Sequence, residues 1–95
     1  MKVRTFRDLL IWQKGMALAR LVYKATRAMP REELFGLTSQ MRRAVCSVPL
    51  NIAEGYGRRT RPEYLKGLRT AMGSLSELST AYELATSMEM IPPDN

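Results

Sequence analysis

LFGLTSQMRRAVCSVPLNIAEGYG, residues 34–57, is the stretch whose reading decides the fold. With Leu34 set at zero and about 100° of rotation per residue, Leu37, Met41, Val45, Val48 and Ile52 fall in one narrow arc. That recurrence is the mark of an amphipathic helix. Gln40, Arg43, Ser47, Asn51 and Glu54 fall on the opposite arc. Pro49 removes one backbone donor, yet the stripe continues in phase beyond it, so the proline predicts a bend and not an end. Glu32 and Glu33, just after Pro30, complement the positive end of a helix dipole, and Gly55 and Gly57 close the segment. A helix is expected over about residues 31–56.

Outward from this stretch the same period holds. Leu9, Trp12, Met16, Ala19, Tyr23 and Thr26 advance by threes and fours, with Asp8 near the start and Pro30 beyond the end, predicting a first helix over about residues 7–28. Leu10, Leu18, Leu21 and Val22 widen its apolar arc, so more than one side should be covered. Downstream, Thr60-Arg61-Pro62-Glu63 reads as a capping box. Tyr64, Leu68, Ala71, Met72, Leu75, Leu78, Tyr82 and Ala85 then carry a stripe through a third helix of about residues 61–89, broken by Pro92-Pro93-Asp94-Asn95. No period-two apolar run bounded by hairpin turns is present. The fold class is all-α: one domain over residues 1–95, an up-and-down antiparallel helical bundle.

The composition narrows function. At 95 residues the core is thin, and self-association is an expected supplement. Fifteen Lys and Arg against nine Asp and Glu give a net charge of +6, which favours phosphate-bearing or acidic partners. The chain has no histidine and one cysteine, which removes the commonest general base, an internal disulfide and a zinc cage. Lys2, Arg4 and Arg7 ahead of an apolar run imitate a secretory signal, but Asp8, Gln13 and Lys14 spoil it. The run Leu9 to Trp12 is also far short of the roughly 18 residues of a membrane span. The reading is cytoplasmic, with no membrane partner.

Few constellations carry chemistry. Gly55-Tyr56-Gly57-Arg58-Arg59-Thr60 spaces two glycines like a dinucleotide loop, but the strand and third glycine of that fingerprint are missing. Cys46 has no histidine to activate it, and close packing against a neighbouring helix is its expected role. Glu32 and Glu33 diverge by about 100° on a helix, and Glu54, Glu63 and Glu77 have no sequence reason to converge. No catalytic residue, metal ligand or cofactor is assigned. The densest signal is basic. Arg58, Arg59 and Arg61 with Tyr56 interleaved, then Lys66 and Arg69, lie in a segment from Arg42 to Arg69 that holds seven Lys or Arg against two Glu. Guanidinium groups suit phosphate contacts, and a tyrosine ring stacks on an unpaired base. The bland alternative is a solvated turn. The polar stripe Gln40, Arg43, Ser47, Asn51 and Glu54 either faces water or forms a subunit interface with an Arg43 to Glu54 pairing.

Phe6-Arg7-Asp8-Leu9, Trp12-Gln13-Lys14, Val22-Tyr23, Gly36-Leu37, Gln40, Arg42-Arg43-Ala44, Ser47-Val48-Pro49, Asn51-Ile52-Ala53-Glu54-Gly55-Tyr56-Gly57-Arg58 and Gly73-Ser74-Leu75-Ser76-Glu77-Leu78 resemble a bacterial family. It is the four-helix bundle family encoded in intervening sequences of 23S rRNA genes, often labelled S23 ribosomal proteins. The resemblance implies an up-and-down bundle whose protomers form a ring, commonly a pentamer. It also implies similarity to the nucleic-acid-binding accessory proteins of diversity-generating retroelements. The family pattern continues past Ile91-Pro92-Pro93 with a fourth helix that is missing from the sequence to Asn95, so three helices are expected to leave an apolar groove for a partner or a second copy. The leading expectation is a non-enzymatic, oligomeric nucleic-acid-binding accessory protein, with RNA as the ligand. The other is an oligomeric scaffold whose basic surface docks a partner protein such as a nucleic-acid enzyme.

Overall fold

The computed structural model describes residues 2–92; Pro93, Asp94 and Asn95, part of the expected helix breaker, lie outside the described residues. The chain enters through a capping box. The Asp8 carboxylate accepts from the backbone N–H of Arg4 (2.8 Å) and Thr5 (3.2 Å), which holds it below the usual carboxylate range. Thr5 Oγ1 accepts from Arg7 N–H. These bonds wind Phe6–Asp8 into a 3-10 turn, and Leu9 is extended. The first helix, α1, is therefore Leu10–Ala25, later than the periodicity places its start. It ends where Thr26 Oγ1 donates to the Val22 carbonyl at 2.7 Å, and a 3-10 turn at Thr26–Ala28 follows.

The second helix also begins later than expected. Arg31–Glu33 form a 3-10 turn, Gly36 is non-helical, and α2 is Leu37–Gly57. Glu33 does complement a helix start, but through its side chain, which accepts from Leu37 N–H at 3.0 Å. Leu34 and Phe35 are consequently outside the buried stripe, with Phe35 94% exposed. From Met41 onward the stripe holds: Met41, Val45, Val48 and Ile52 are buried, and α2 runs through Pro49 as one element. The third helix, α3, is Arg61–Ser87. Thr60 Oγ1 accepts from Glu63 N–H at 3.3 Å, and Pro62 occupies the first turn, where its missing N–H costs nothing.

Three helices and no strand make up the described residues, in an antiparallel arrangement with α2 between α1 and α3. Gly15 of α1 faces Val48 and Pro49, and Arg42 reaches back to Thr26, its Nε donating to Oγ1 at 2.9 Å. Along α3, Gly67 meets Gly55, and Ser74 Oγ donates to Ser47 Oγ at 2.8 Å. Met29, Met41, Ala44, Val45, Leu78, Ala81, Ala85 and Ile91 form the core at one end. Val48, Ile52 and Ala71 form it at the other, with Leu9, Trp12, Tyr64 and Leu68 packed against them.

The α2–α3 seam is built from small residues, and its tightest point is backbone on backbone. A Cβ on Gly67 would stand 2.5 Å from the Asn51 carbonyl oxygen and 3.1 Å from Gly55 Cα. Gly73, on the same helix, has nothing within 4 Å of its Cβ position. Gly67→Ala is expected to lose about 1–3 kcal/mol of stability through overpacking against backbone that cannot give way. Gly73→Ala gains about 0.5–1 kcal/mol from reduced unfolded-state freedom and better helix propensity. Urea unfolding of the two variants checks both signs.

Candidate nucleic-acid interface

The connection from α2 to α3 is three residues long, and its backbone decides where each arginine points. Arg58 closes α2, its N–H bonded to the Glu54 carbonyl, and Arg59 N–H bonds to the Tyr56 carbonyl, both at 3.2 Å. Arg59 then takes a left-handed conformation, with φ 65°. Glycine is the usual occupant of that position after a helix, and an L-residue there costs about 1–2 kcal/mol. Thr60 is extended and Arg61 opens α3. Three arginines that are near neighbours in sequence thus sit on a helix end, a reversal and a helix start.

The reversal sorts them. Arg59 and Arg61 join Tyr56, Thr60 and Tyr64 around a cleft of about 480 Å³. The two tyrosine rings meet edge to face, with centroids 5.7 Å apart and planes at 80°. Tyr64 is packed against Val48, Ile52 and Ala71. Arg58 points elsewhere and pairs with Glu54 at 3.5 Å across one exposed turn of α2. With Lys66 and Glu63 it borders a smaller groove of mixed charge, about 100 Å³, on the α2–α3 face. Arg69 lies about 12 Å along α3 from Arg61. The six basic and aromatic residues expected to act together are therefore divided: Tyr56, Arg59 and Arg61 converge, whereas Arg58 and Lys66 share a second groove and Arg69 stands apart.

Tyr64 is the cleft residue that the sequence reading did not assign to the basic cluster, because its spacing placed it in the apolar stripe. The available signal was symmetry about the turn. Tyr56 and Tyr64 each lie four residues from Thr60, and residues equidistant from a tight helix–helix connection face each other across an antiparallel pair.

The polar stripe of α2 is partly absorbed by the seam. Asn51 Nδ2 donates to the carbonyl and to Oγ of Ser47, both at 2.8 Å, and Ser74 completes the chain from α3. Gln40 borders a shallow groove with Ser76, Glu77 and Thr80, and Arg43 is exposed. Glu54 pairs with Arg58, one turn along; Arg43 is three turns away, about 16 Å on a helix, so no Arg43 to Glu54 pair forms within the chain. Cys46 is half-buried against the core, its Sγ 3.8 Å from Tyr23 Oη of α1. The neighbouring sulfur holds that phenol above its ordinary range, while the Arg42 guanidinium lies over the ring at 4.7 Å.

Two apolar surfaces flank α1. One is a groove of about 530 Å³ with α2, bordered by Trp12, Met16, Tyr23, Pro49 and Leu50. The other, about 400 Å³, lies between α1 and α3 and includes Leu18, Leu21, Leu78 and Tyr82. Among the described residues no helix is long and apolar enough to cross a membrane.

A family model for the 23S rRNA-intervening sequence protein matches residues 7–95. The chain belongs to that family. The matched span takes in the turn, both tyrosines and the glycine contact of α2 with α3. No curated protein sequence matches the chain. Within this family member, the left-handed arginine is a stability cost that glycine would remove. Arg59→Gly is expected to raise stability by up to about 1 kcal/mol, with unchanged helix content. Thermal unfolding followed by circular dichroism measures both.

Proposed function

We propose that this member of the 23S rRNA-intervening sequence protein family is a non-enzymatic, oligomeric nucleic-acid-binding accessory protein that acts in the cytoplasm and takes RNA as its ligand. The observation that carries the reading is the convergence of Arg59 and Arg61 on one cleft walled by Tyr56 and Tyr64. Planar guanidinium groups bind phosphate through paired, charge-assisted hydrogen bonds. The backbone N–H groups that open α3 contribute little: Glu63 N–H and Tyr64 N–H are bonded to Thr60, and Pro62 has none. Phosphate binding therefore falls to the side chains. Arg58 contributes less, because Glu54 neutralises it locally. The net charge of +6 supports the same choice of ligand by steering polyanions toward the surface.

Self-association is the second part of the proposal. Leu50 is 67% exposed on the α1–α2 groove and Leu21 63% exposed beside the α1–α3 groove, and contiguous apolar surface on a small domain supports burial against another copy. The ring of five implied by the family resemblance is one such assembly. These grooves also support the other reading, a scaffold that docks a partner protein through apolar contact while its basic surface steers the encounter.

Fluorescence anisotropy of a labelled single-stranded RNA at several salt concentrations tests the binding proposal. Affinity is expected to fall by about 0.7 log unit per log unit of salt for each phosphate neutralised. The Arg59→Gln, Arg61→Gln double variant flattens that slope, and Arg58→Gln leaves it nearly unchanged. Weak binding indifferent to the double variant overturns the RNA reading in favour of the scaffold. Light scattering tests assembly: a mass of several chains supports it, and the mass of one chain overturns it.

A further inference from the structure

Resting on the RNA reading, we infer that the cleft at the α2–α3 turn is a receptor for one unpaired nucleotide, with Tyr56 and Tyr64 supplying the base platform and Arg59 and Arg61 the contacts to its flanking phosphates. The ligand class is thereby narrowed to unpaired strand, as against duplex.

The size of the cleft is the first ground. About 480 Å³ falls in the range that holds a single small ligand, whereas a duplex presents a continuous rod of phosphate to a surface. The second ground is the aromatic geometry. With the ring planes at 80°, the partner ring covers the face of one tyrosine alone, so π-surface remains in a cleft that both rings border. Stacking on that surface requires a base whose own face is free, and pairing within a helix denies it. A surface that only attracted phosphate would need no aromatic wall.

Preorganisation is the third ground. Tyr64 is held by Val48, Ile52 and Ala71, and Tyr56 is held against Tyr64, so the platform loses little freedom when a base arrives. The arginines are fixed at their roots in a comparable way. The left-handed backbone at Arg59 turns its side chain to the cleft side of the connection, away from the Arg58 and Glu54 pair.

Three probes decide the matter: a labelled uridine oligonucleotide, the same strand annealed to its complement, and an abasic strand of equal length carrying the same phosphates. Each is titrated against the wild-type chain, Tyr56→Leu, Tyr64→Leu and Tyr64→Phe, with fold checked by circular dichroism and melting. The unpaired strand is expected to bind about 5- to 150-fold more tightly than the abasic strand, the range of one base stacked on an aromatic ring, and more tightly than the duplex. Tyr56→Leu and Tyr64→Leu collapse the difference, and Tyr64→Phe retains it. Tyr56 lies outside the core cluster, so its variant decides the question even where Tyr64→Leu fails to fold. Equal affinity for based and abasic strands, with salt dependence still lost in the Arg59→Gln, Arg61→Gln variant, overturns the single-nucleotide receptor and leaves the RNA reading standing. Absence of salt-dependent binding to any probe overturns both.

Discussion

The contact between Gly55 and Gly67 is the constraint from which the rest of the structure follows. Two helix backbones approach there closely enough that a single Cβ would strike the Asn51 carbonyl. So close an approach admits only small residues at the crossing, and beyond it Ala44, Ala71, Ala81 and Ala85 lie buried beside Met41, Val45, Ile52 and Leu78 and the Ser47–Ser74 hydrogen bond. Close packing of this kind makes many weak dispersion contacts at short range. Met72, Leu75 and Tyr82 of α3 lie on a flank of the seam, where they are exposed.

The same contact places the cleft. Gly55 and Gly67 cross just below the turn, with Gly55 also close to the backbone of Glu63 and Tyr64, and the short span from Gly55 around to Gly67 admits only a tight reversal. Beside it Tyr56 and Tyr64 meet edge to face, and Arg59 takes the left-handed conformation. Charge and aromatic character at the tip are properties of the residues; their convergence is a property of the glycine crossing. Removing the crossing while keeping all five cleft residues would leave the composition of the site and lose its geometry.

Much of this architecture was legible in the sequence because burial imposes a period on helices. Met41, Val45, Val48 and Ile52 lie where the arc of α2 predicts, and Thr60 caps α3 as its spacing predicts. Helix starts were less legible, because local hydrogen bonds overrode the period. Asp8 closed a capping box on Thr5 and turned Phe6–Asp8 into 3-10 geometry, and Glu33 capped Leu37 from four residues away, leaving Leu34 and Phe35 outside. The candidate site was legible in kind but not in membership. A run of arginines does not disclose which member adopts positive φ, and that single angle separates Arg59 from Arg58. Tyr64 was hidden by its double service, since the spacing that marks it as core is indifferent to the ring edge that reaches the turn.

The α2–α3 hairpin is closed by a three-residue connection, and its contacts run from the turn out to pairs such as Ser47–Ser74, 27 positions apart, while α1 joins α2 from one side. Contacts nearest the turn close the smallest loop and lose the least loop entropy in forming. The basic tip is where the chain doubles back between α2 and α3, and Arg59, which with Glu89 is one of two non-glycine residues at positive φ among the described residues, sits there. Backbone geometry and the direction of charge at the tip thus meet in one residue, through one and the same torsion angle.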